Sequence, residues 1–178
     1  IHISLKLDTQ SFKKLPLRIA CAFVRPIQLR RLLRDLSTMG VEGIDIFSTE
    51  LGEKSYQNTN LFDDGGARDA LIEGAAQSRD TVLPDIQVYS GVRQWLNTNK
   101  NAFTSKQLIV CDNRDSCETL KNLQTQKDRI IAIGGERGWS DGERSIFKDA
   151  GFLSFSLGAR ALRTETACIA AAAVFSCT

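Results

Sequence analysis

Two glycine-bearing turns in the last third of the chain, each set between an apolar run and a helix start, constrain the fold most. The first reads Arg129-Ile-Ile-Ala-Ile-Gly-Gly-Glu-Arg-Gly-Trp-Ser140. The second reads Leu153-Ser-Phe-Ser-Leu-Gly-Ala-Arg-Ala-Leu-Arg-Thr-Glu-Thr-Ala167 and runs into an alanine-rich tail. Glycine lets a backbone turn tightly and approach closely. Two such junctions near one another bring N–H groups and carbonyls to one spot, where a small polar ligand can be held.

Strand-to-helix junctions recur throughout. Strands are expected over residues 17–24, 44–48, 84–89, 106–111, 130–133 and 153–157, where aliphatic and β-branched residues cluster. Leu29, Leu32, Leu33 and Leu36 follow helical spacing within 27–39, and Gly40 supplies the stop. Further helices are expected over 67–78, briefly over 92–96, over a polar stretch from 115 to 126, from the Ser140-Asp-Gly-Glu143 capping box to Gly151, and over 164–175. Residues 50–66 are polar and read as a long loop. This alternation predicts an α/β fold: a parallel sheet with helices on both faces.

A chain of 178 residues suits one domain with a real core. Its net charge of +2 permits a nucleic-acid face without demanding one. No run of about 18 apolar residues predicts a membrane span, and residues 1–8 lack the form of a signal peptide. The five cysteines are odd in number and form no C-x-x-C pair, which points to reduced thiols in a cytoplasmic protein rather than to disulfides or a zinc knuckle. His2 is the sole histidine, so neither a Ser-His-Asp triad nor a histidine metal site is expected, and no metal is assigned. No P-loop motif occurs, and the late Gly134, Gly135 and Gly138 do not have dinucleotide-fold spacing.

Ile133-Gly-Gly-Glu-Arg-Gly-Trp-Ser140, followed by Ser156-Leu-Gly-Ala-Arg-Ala-Leu-Arg-Thr-Glu-Thr-Ala167, resembles the C-terminal signature of the RsmE-type 16S ribosomal RNA uridine-N3 methyltransferases of the SPOUT superfamily. The second motif is close to that family's Leu-Gly-x-Arg-x-Leu-Arg-x-Glu-Thr-Ala pattern. The stretches from Ala75 to Ile86 and from Met39 to Ile44 are similar to two further family segments. The resemblance spans about residues 17–176. It implies a SPOUT domain over 17–178 with a C-terminal trefoil knot, in which the last helix threads a loop, and residues 1–16 as an extension or remnant. It also implies an S-adenosylmethionine site built by the knot loops, a homodimer, and small-subunit ribosomal RNA as partner. The small residues Ala170 to Ala173 suit a helix that passes through a tight loop.

Carried over by position, the cofactor residues are Gly134, Glu136, Gly138, Leu157, Gly158 and Leu162. Gln77, Arg79 and Arg160 are substrate-side, and Arg160, Arg163 and Glu165 are the catalytic candidates. The N3 proton of uridine must leave before or during attack on a sulfonium methyl, so a cation and good orientation are the help this chemistry asks for. Arg160 or Arg163 would supply the cation or a phosphate contact; Glu136 or Glu165 would take the proton only if burial raised its pKa. Arg163 and Glu165 are also expected to pair, and Thr164 or Thr166 to cap the last helix. Arg25, Arg30, Arg31 and Arg34 around the first long helix, with Lys13 and Lys14, form a candidate RNA-contacting surface.

Two departures sit in the first turn. The family's Gly-Pro-Glu-Gly-Gly is here Gly134-Gly-Glu-Arg-Gly138, so Gly135 loses the rigidity of proline and Arg137 strains the turn if a positive φ is needed there. The family also carries an N-terminal PUA-type β-barrel, which nothing before Leu17 is expected to form. The alternative reading is therefore a degenerate SPOUT domain that binds RNA or protein without turnover.

Overall fold

The computed structural model describes residues 3–4, 12–114, 118–123 and 128–176. Seven parallel strands form one sheet: β1 (Leu15–Ala22), β2 (Val41–Phe47), β3 (Asp85–Tyr89), β4 (Gln107–Cys111), β5 (Glu118–Thr119), β6 (Arg129–Ile133) and β7 (Leu153–Ser156). Their order is β3-β2-β1-β6-β4-β7-β5. The late strand β6 is therefore inserted at the centre, with Ile19 opposite Ile131 on one side and Ile109 opposite Ile131 on the other. Burial on both faces explains why its sequence is an unbroken aliphatic run.

Alternate residues of each strand feed two cores. Leu17, Ile19 and Cys21 pack with α1 (Pro26–Thr38), α2 (Gly66–Gln77) and α5 (Thr164–Ser176). Ala20, Ala132 and Phe47 face α3 (Val92–Phe103) and α4 (Asp141–Asp149). On α1 the apolar spacing buries Leu29, Leu32, Leu33 and Leu36, each contributing roughly 1.5–3 kcal/mol of transfer free energy. The opposite core is aromatic. Trp139 and Phe147 have ring centroids 4.7 Å apart, and Phe47 and Trp95 are 5.1 Å apart.

Helices on both faces of a parallel sheet match the expected class, with differences in detail. The helix beginning at Val92 runs to Phe103 rather than ending near 96, because Trp95, Leu96 and Phe103 all bury against the aromatic core. The polar stretch 115–126 is not helical where it is described. Glu118–Thr119 is a short edge strand beside β7, and Leu120–Asn122 is one 3₁₀ turn whose Leu120 is buried. Residues 115–117 and 124–127 lie outside the described residues. The loop at 50–66 contains two 3₁₀ turns, Lys54–Gln57 and Asn60–Phe62. Ser140 and Glu143 form the expected capping box. No described helix is long and apolar enough to cross a membrane.

A buried charge fixes the sheet's other half. Asp45 on β2 accepts hydrogen bonds from Arg18 Nε at 2.9 Å and Trp95 Nε1 at 2.8 Å, and Arg18 also donates to Asp85 at 2.6 Å. Burial works to lower the Arg18 pKa, but the two carboxylates outweigh it and raise the pKa further. The guanidinium lies where a Cβ at Gly43 would stand, so glycine there leaves room for the Arg18 ion pairs.

Two substitutions test the packing account by denaturant unfolding. A Cβ at Gly74 would lie 2.1 Å from the Arg34 carbonyl oxygen, so Gly74→Ala must push α2 off α1 and is expected to cost about 1–3 kcal/mol. Arg79 ends α2 in the left-handed region at φ 58, with Asp80 N–H donating to Ala75 O at 2.9 Å. Arg79→Gly relieves a strain of roughly 1 kcal/mol and is expected to stabilise the protein.

Candidate active site

The carboxyl ends of β6, β4 and β7 open into a cleft, where the ligands of open parallel sheets are ordinarily held. Its lining comes mainly from three junctions: Cys111, Asp112 and Asn113 after β4; Ile133, Gly134, Gly135, Glu136, Gly138 and Trp139 after β6; and Leu157, Ala161, Leu162 and Thr164 after β7. The cavity it encloses is about 150 Å³, a narrow cleft beside the usual small-molecule site.

The first turn is built by backbone. Gly138 N–H donates to Gly135 O at 2.9 Å, making Glu136 and Arg137 the two exposed central residues of a tight turn. The left-handed φ of 68° falls on Gly138. Arg137 does not have a positive φ, so the turn carries it without the strain considered from sequence. Gly134 is required by proximity: a Cβ there would stand 3.2 Å from the Gly138 carbonyl carbon and from the Trp139 ring. Trp139 itself is buried and donates Nε1–H to Cys111 O at 2.9 Å, tying this turn to the end of β4.

Thr164 joins the two turns. Its side chain is buried, and its hydroxyl donates to Gly134 O at 2.9 Å across 30 residues of sequence. The hydroxyl thus clasps the first turn, a role that the capping expectation missed. Asp112, Asn113 and Glu136 make part of the cleft polar, and Leu157 and Leu162 add apolar surface to it. Gly158, at φ 120, makes the bend between them without lining the cleft.

A carboxylate network braces the far side. Glu143 is buried; its two oxygens accept the N–H groups of Glu50 and Ser140, each at 2.9 Å, while Ser140 Oγ also bonds Glu50. Asp112 is held by Arg144 Nε at 2.6 Å. No spacing in the sequence links Glu50 or Asp112 to these partners; sheet order alone brings them together.

The structure separates the remaining sequence-named residues. Gly134, Glu136, Gly138, Leu157 and Leu162 share the cleft. Arg160 and Arg163 are exposed on the second turn beside it, and no Arg163–Glu165 ion pair forms among the described residues. Glu165 lies in the first turn of α5 and lines a separate groove with Gln28, Arg31, Asp35 and Ile169. Gln77 and Arg79 are exposed at the end of α2, next to Asp80, which pairs with Lys14 just before β1 begins. That is the amino edge of the sheet, opposite the cleft. Of the basic surface, Arg30 pairs with Glu73 and Arg34 with Asp35.

Two measurements test this geometry. Burial, with the neighbouring Asp112 charge, pushes the Cys111 thiol up to about 12, and burial likewise raises buried Cys168. Both are expected to stay unalkylated by iodoacetamide at pH 8.5 and to react once the protein is unfolded, as read by peptide mass spectrometry. Thr164→Val removes the donor to Gly134 and is expected to cost about 1–3 kcal/mol of stability in thermal or denaturant unfolding.

Residues 11–176 match the RNA methyltransferase domain family. The chain is 38% identical over 172 residues to Ribosomal RNA small subunit methyltransferase E of Treponema pallidum, covering 95% of this chain and 65% of that protein. It is 31% identical over 166 residues to Ribosomal RNA small subunit methyltransferase E 1 of Borreliella burgdorferi, covering 93% and 68%. Among solved structures, a methyltransferase from Legionella pneumophila with bound S-adenosylmethionine superposes with a TM-score of 0.77 at 22% identity, covering 97% of this chain and 69% of that one. Ribosomal RNA small subunit methyltransferase E from Neisseria gonorrhoeae, bound to the same cofactor, gives 0.72 at 20% identity, covering 88% and 63%. The fold is thus that of these methyltransferases, and this chain spans about two thirds of the length of such relatives. With the clasped double turn at the carboxyl edge of its sheet, the chain belongs to the RNA methyltransferase domain family, in the branch of ribosomal RNA small subunit methyltransferase E.

Proposed function

We propose that this protein is an S-adenosylmethionine-dependent RNA methyltransferase acting on N3 of a uridine in small-subunit ribosomal RNA. The observation that carries the reading is the clasp of Thr164 on Gly134, which makes one cleft from the two turns. The residues present fit the cofactor. The backbone of the first turn suits the polar adenine and methionine edges, Leu157 and Leu162 supply apolar walls, and the close approach at Gly134 leaves no room for a side chain at that position. Bound there, S-adenosylmethionine would present an electrophilic sulfonium methyl. The protein's part is to orient the uridine edge and stabilise charge on the base. Arg160 and Arg163, exposed at the rim, are assigned to backbone phosphates of the RNA.

Further expectations accompany this reading. Residues 17–178 form the catalytic domain, with α5 threading a loop as a C-terminal trefoil knot; α5 packs against β1 and β6 and also against the 3₁₀ turn at Leu120–Asn122. The groove between α1 and α5, with Leu32, Ile169, Ala170 and Ala173 along it, is the homodimer face. Gln77 and Arg79, distant from the cleft of their own protomer, are assigned to RNA outside the target base. The site of action is the cytoplasm, where ribosomal RNA is made and assembled in bacteria. The non-positive φ of Arg137 removes one of the reasons drawn from sequence to favour a protein without turnover, the strain of that turn.

Calorimetry with S-adenosylmethionine is expected to show micromolar binding, weakened at least about tenfold by Gly134→Val, whose side chain must displace Gly138 and Trp139. Methyl transfer to ribosomal small subunits from a strain lacking the native enzyme should then yield N3-methyluridine on nucleoside analysis. A different methylated base would overturn the uridine-N3 assignment, and absence of cofactor binding would overturn the enzyme reading.

A further inference from the structure

Arg25 occupies a position that local physics does not favour. It is the N-cap residue of α1, where Ser, Thr, Asp or Asn ordinarily satisfies an exposed N–H group. Arg25 makes no such cap, and it sets a cation at the positive end of the helix dipole. A residue that departs from local preference without a local gain is expected where function selects it.

The surroundings give Arg25 a direction. It follows β1, whose Ala22 methyl lies 3.5 Å from where a Cβ of Gly135 would stand, so α1 starts beside the first turn. Its Nε–H donates to the Tyr56 hydroxyl at 3.0 Å; Tyr56 is half-buried in the Lys54–Gln57 3₁₀ turn of the long loop after β2. That bond, with the charge of Glu136 on the cleft rim, raises the Arg25 pKa and holds the group cationic. Its two terminal amines have no partner among the described residues, whereas Arg30 and Arg34 of the same helix are tied to carboxylates.

We propose that Arg25 is the catalytic cation that meets the target uracil, donating from its terminal amines to the base's imide edge as N3 becomes anionic, and that Tyr56 is a positioning residue which holds Nε so that those amines face the cleft. The proposal rests on the uridine-N3 reading of the same site. The N3–H proton leaves to solvent water, and the N3 electron pair forms the new N–CH₃ bond. The S–CH₃ bonding pair remains on sulfur as a neutral thioether. Negative charge develops on N3 and its two flanking carbonyl oxygens only on the way to this transfer, so a guanidinium there stabilises the transition state more than the ground state. A lysine, with one compact ammonium in place of a planar fork, replaces it incompletely.

The test compares wild type with Arg25→Ala, Arg25→Lys and Tyr56→Phe on undermethylated ribosomal small subunits, with S-adenosylmethionine affinity measured separately by calorimetry. Arg25→Ala is expected to lower kcat about 100-fold or more with KM for the subunits little changed. It should also move the rise of kcat with pH to higher pH, because the base must then ionise without its cation. Arg25→Lys should recover part of the loss, and Tyr56→Phe should lose about tenfold in kcat. On small subunits assembled from RNA carrying 5-fluorouridine, whose N3 proton is more acidic, the Arg25→Ala deficit should shrink. Cofactor affinity should stay within about twofold in all three variants. An unchanged kcat and pH profile in Arg25→Ala would overturn the proposal, as would a loss confined to KM, which marks a phosphate contact. If wild type binds no cofactor, the underlying reading fails instead, and the affinity measurement tells the two failures apart.

Discussion

The buried hydrogen bond from Thr164 to the Gly134 carbonyl is the contact on which the site depends. It closes over β6, the strand inserted between β1 and β4 at the centre of the sheet. Because β6 is flanked on both sides and α5 packs across it, the turn at Gly134 has little freedom to retreat. A hydroxyl donating to a carbonyl there fixes the start of α5 against the end of β6. The walls of the cleft are then held by the same packing that makes the core. Trp139 repeats the device on the other side, with one ring in the aromatic core and its N–H on the Cys111 carbonyl.

Charge is arranged around this frame in two ways. In the interior, carboxylates are tied to fixed partners: Asp45 Oδ2 to Arg18 and Trp95, Glu143 to two backbone amides, Asp112 to Arg144. These groups set strand and turn positions. Arg160 and Arg163 on the second turn, and Arg25 at the start of α1, are exposed. On the proposed reading Arg160 and Arg163 would meet RNA phosphates near the mouth of a site lined by backbone, apolar side chains and the polar Asp112, Asn113 and Glu136.

Much of the fold was legible in the sequence because its strands are aliphatic runs and its helices carry clear stripes or caps. The leucines of α1 and the Ser140–Glu143 box are the plainest instances. The stretch around Leu120 misled, since polar composition mimics an exposed helix while one buried leucine and edge pairing with β7 decide the outcome. The length of α3 was hidden for a related reason: Phe103 finds its place through Trp95 and Phe152, contacts that no local pattern records. Within the cleft, the glycines and leucines were readable from the two turns. Thr164 as a clasp, Arg25 with Tyr56, and Glu50 with Ser140 were not, because each pair spans 30 residues or more and is set by strand order.

The central claim is that the two turns form one cofactor site. Amide hydrogen exchange with and without S-adenosylmethionine measures this segment by segment. Added protection confined to residues 133–139 and 157–164, and lost in Thr164→Val, is the expected result. Protection that falls instead on the α1–α5 groove, or none at saturating cofactor, would contradict it.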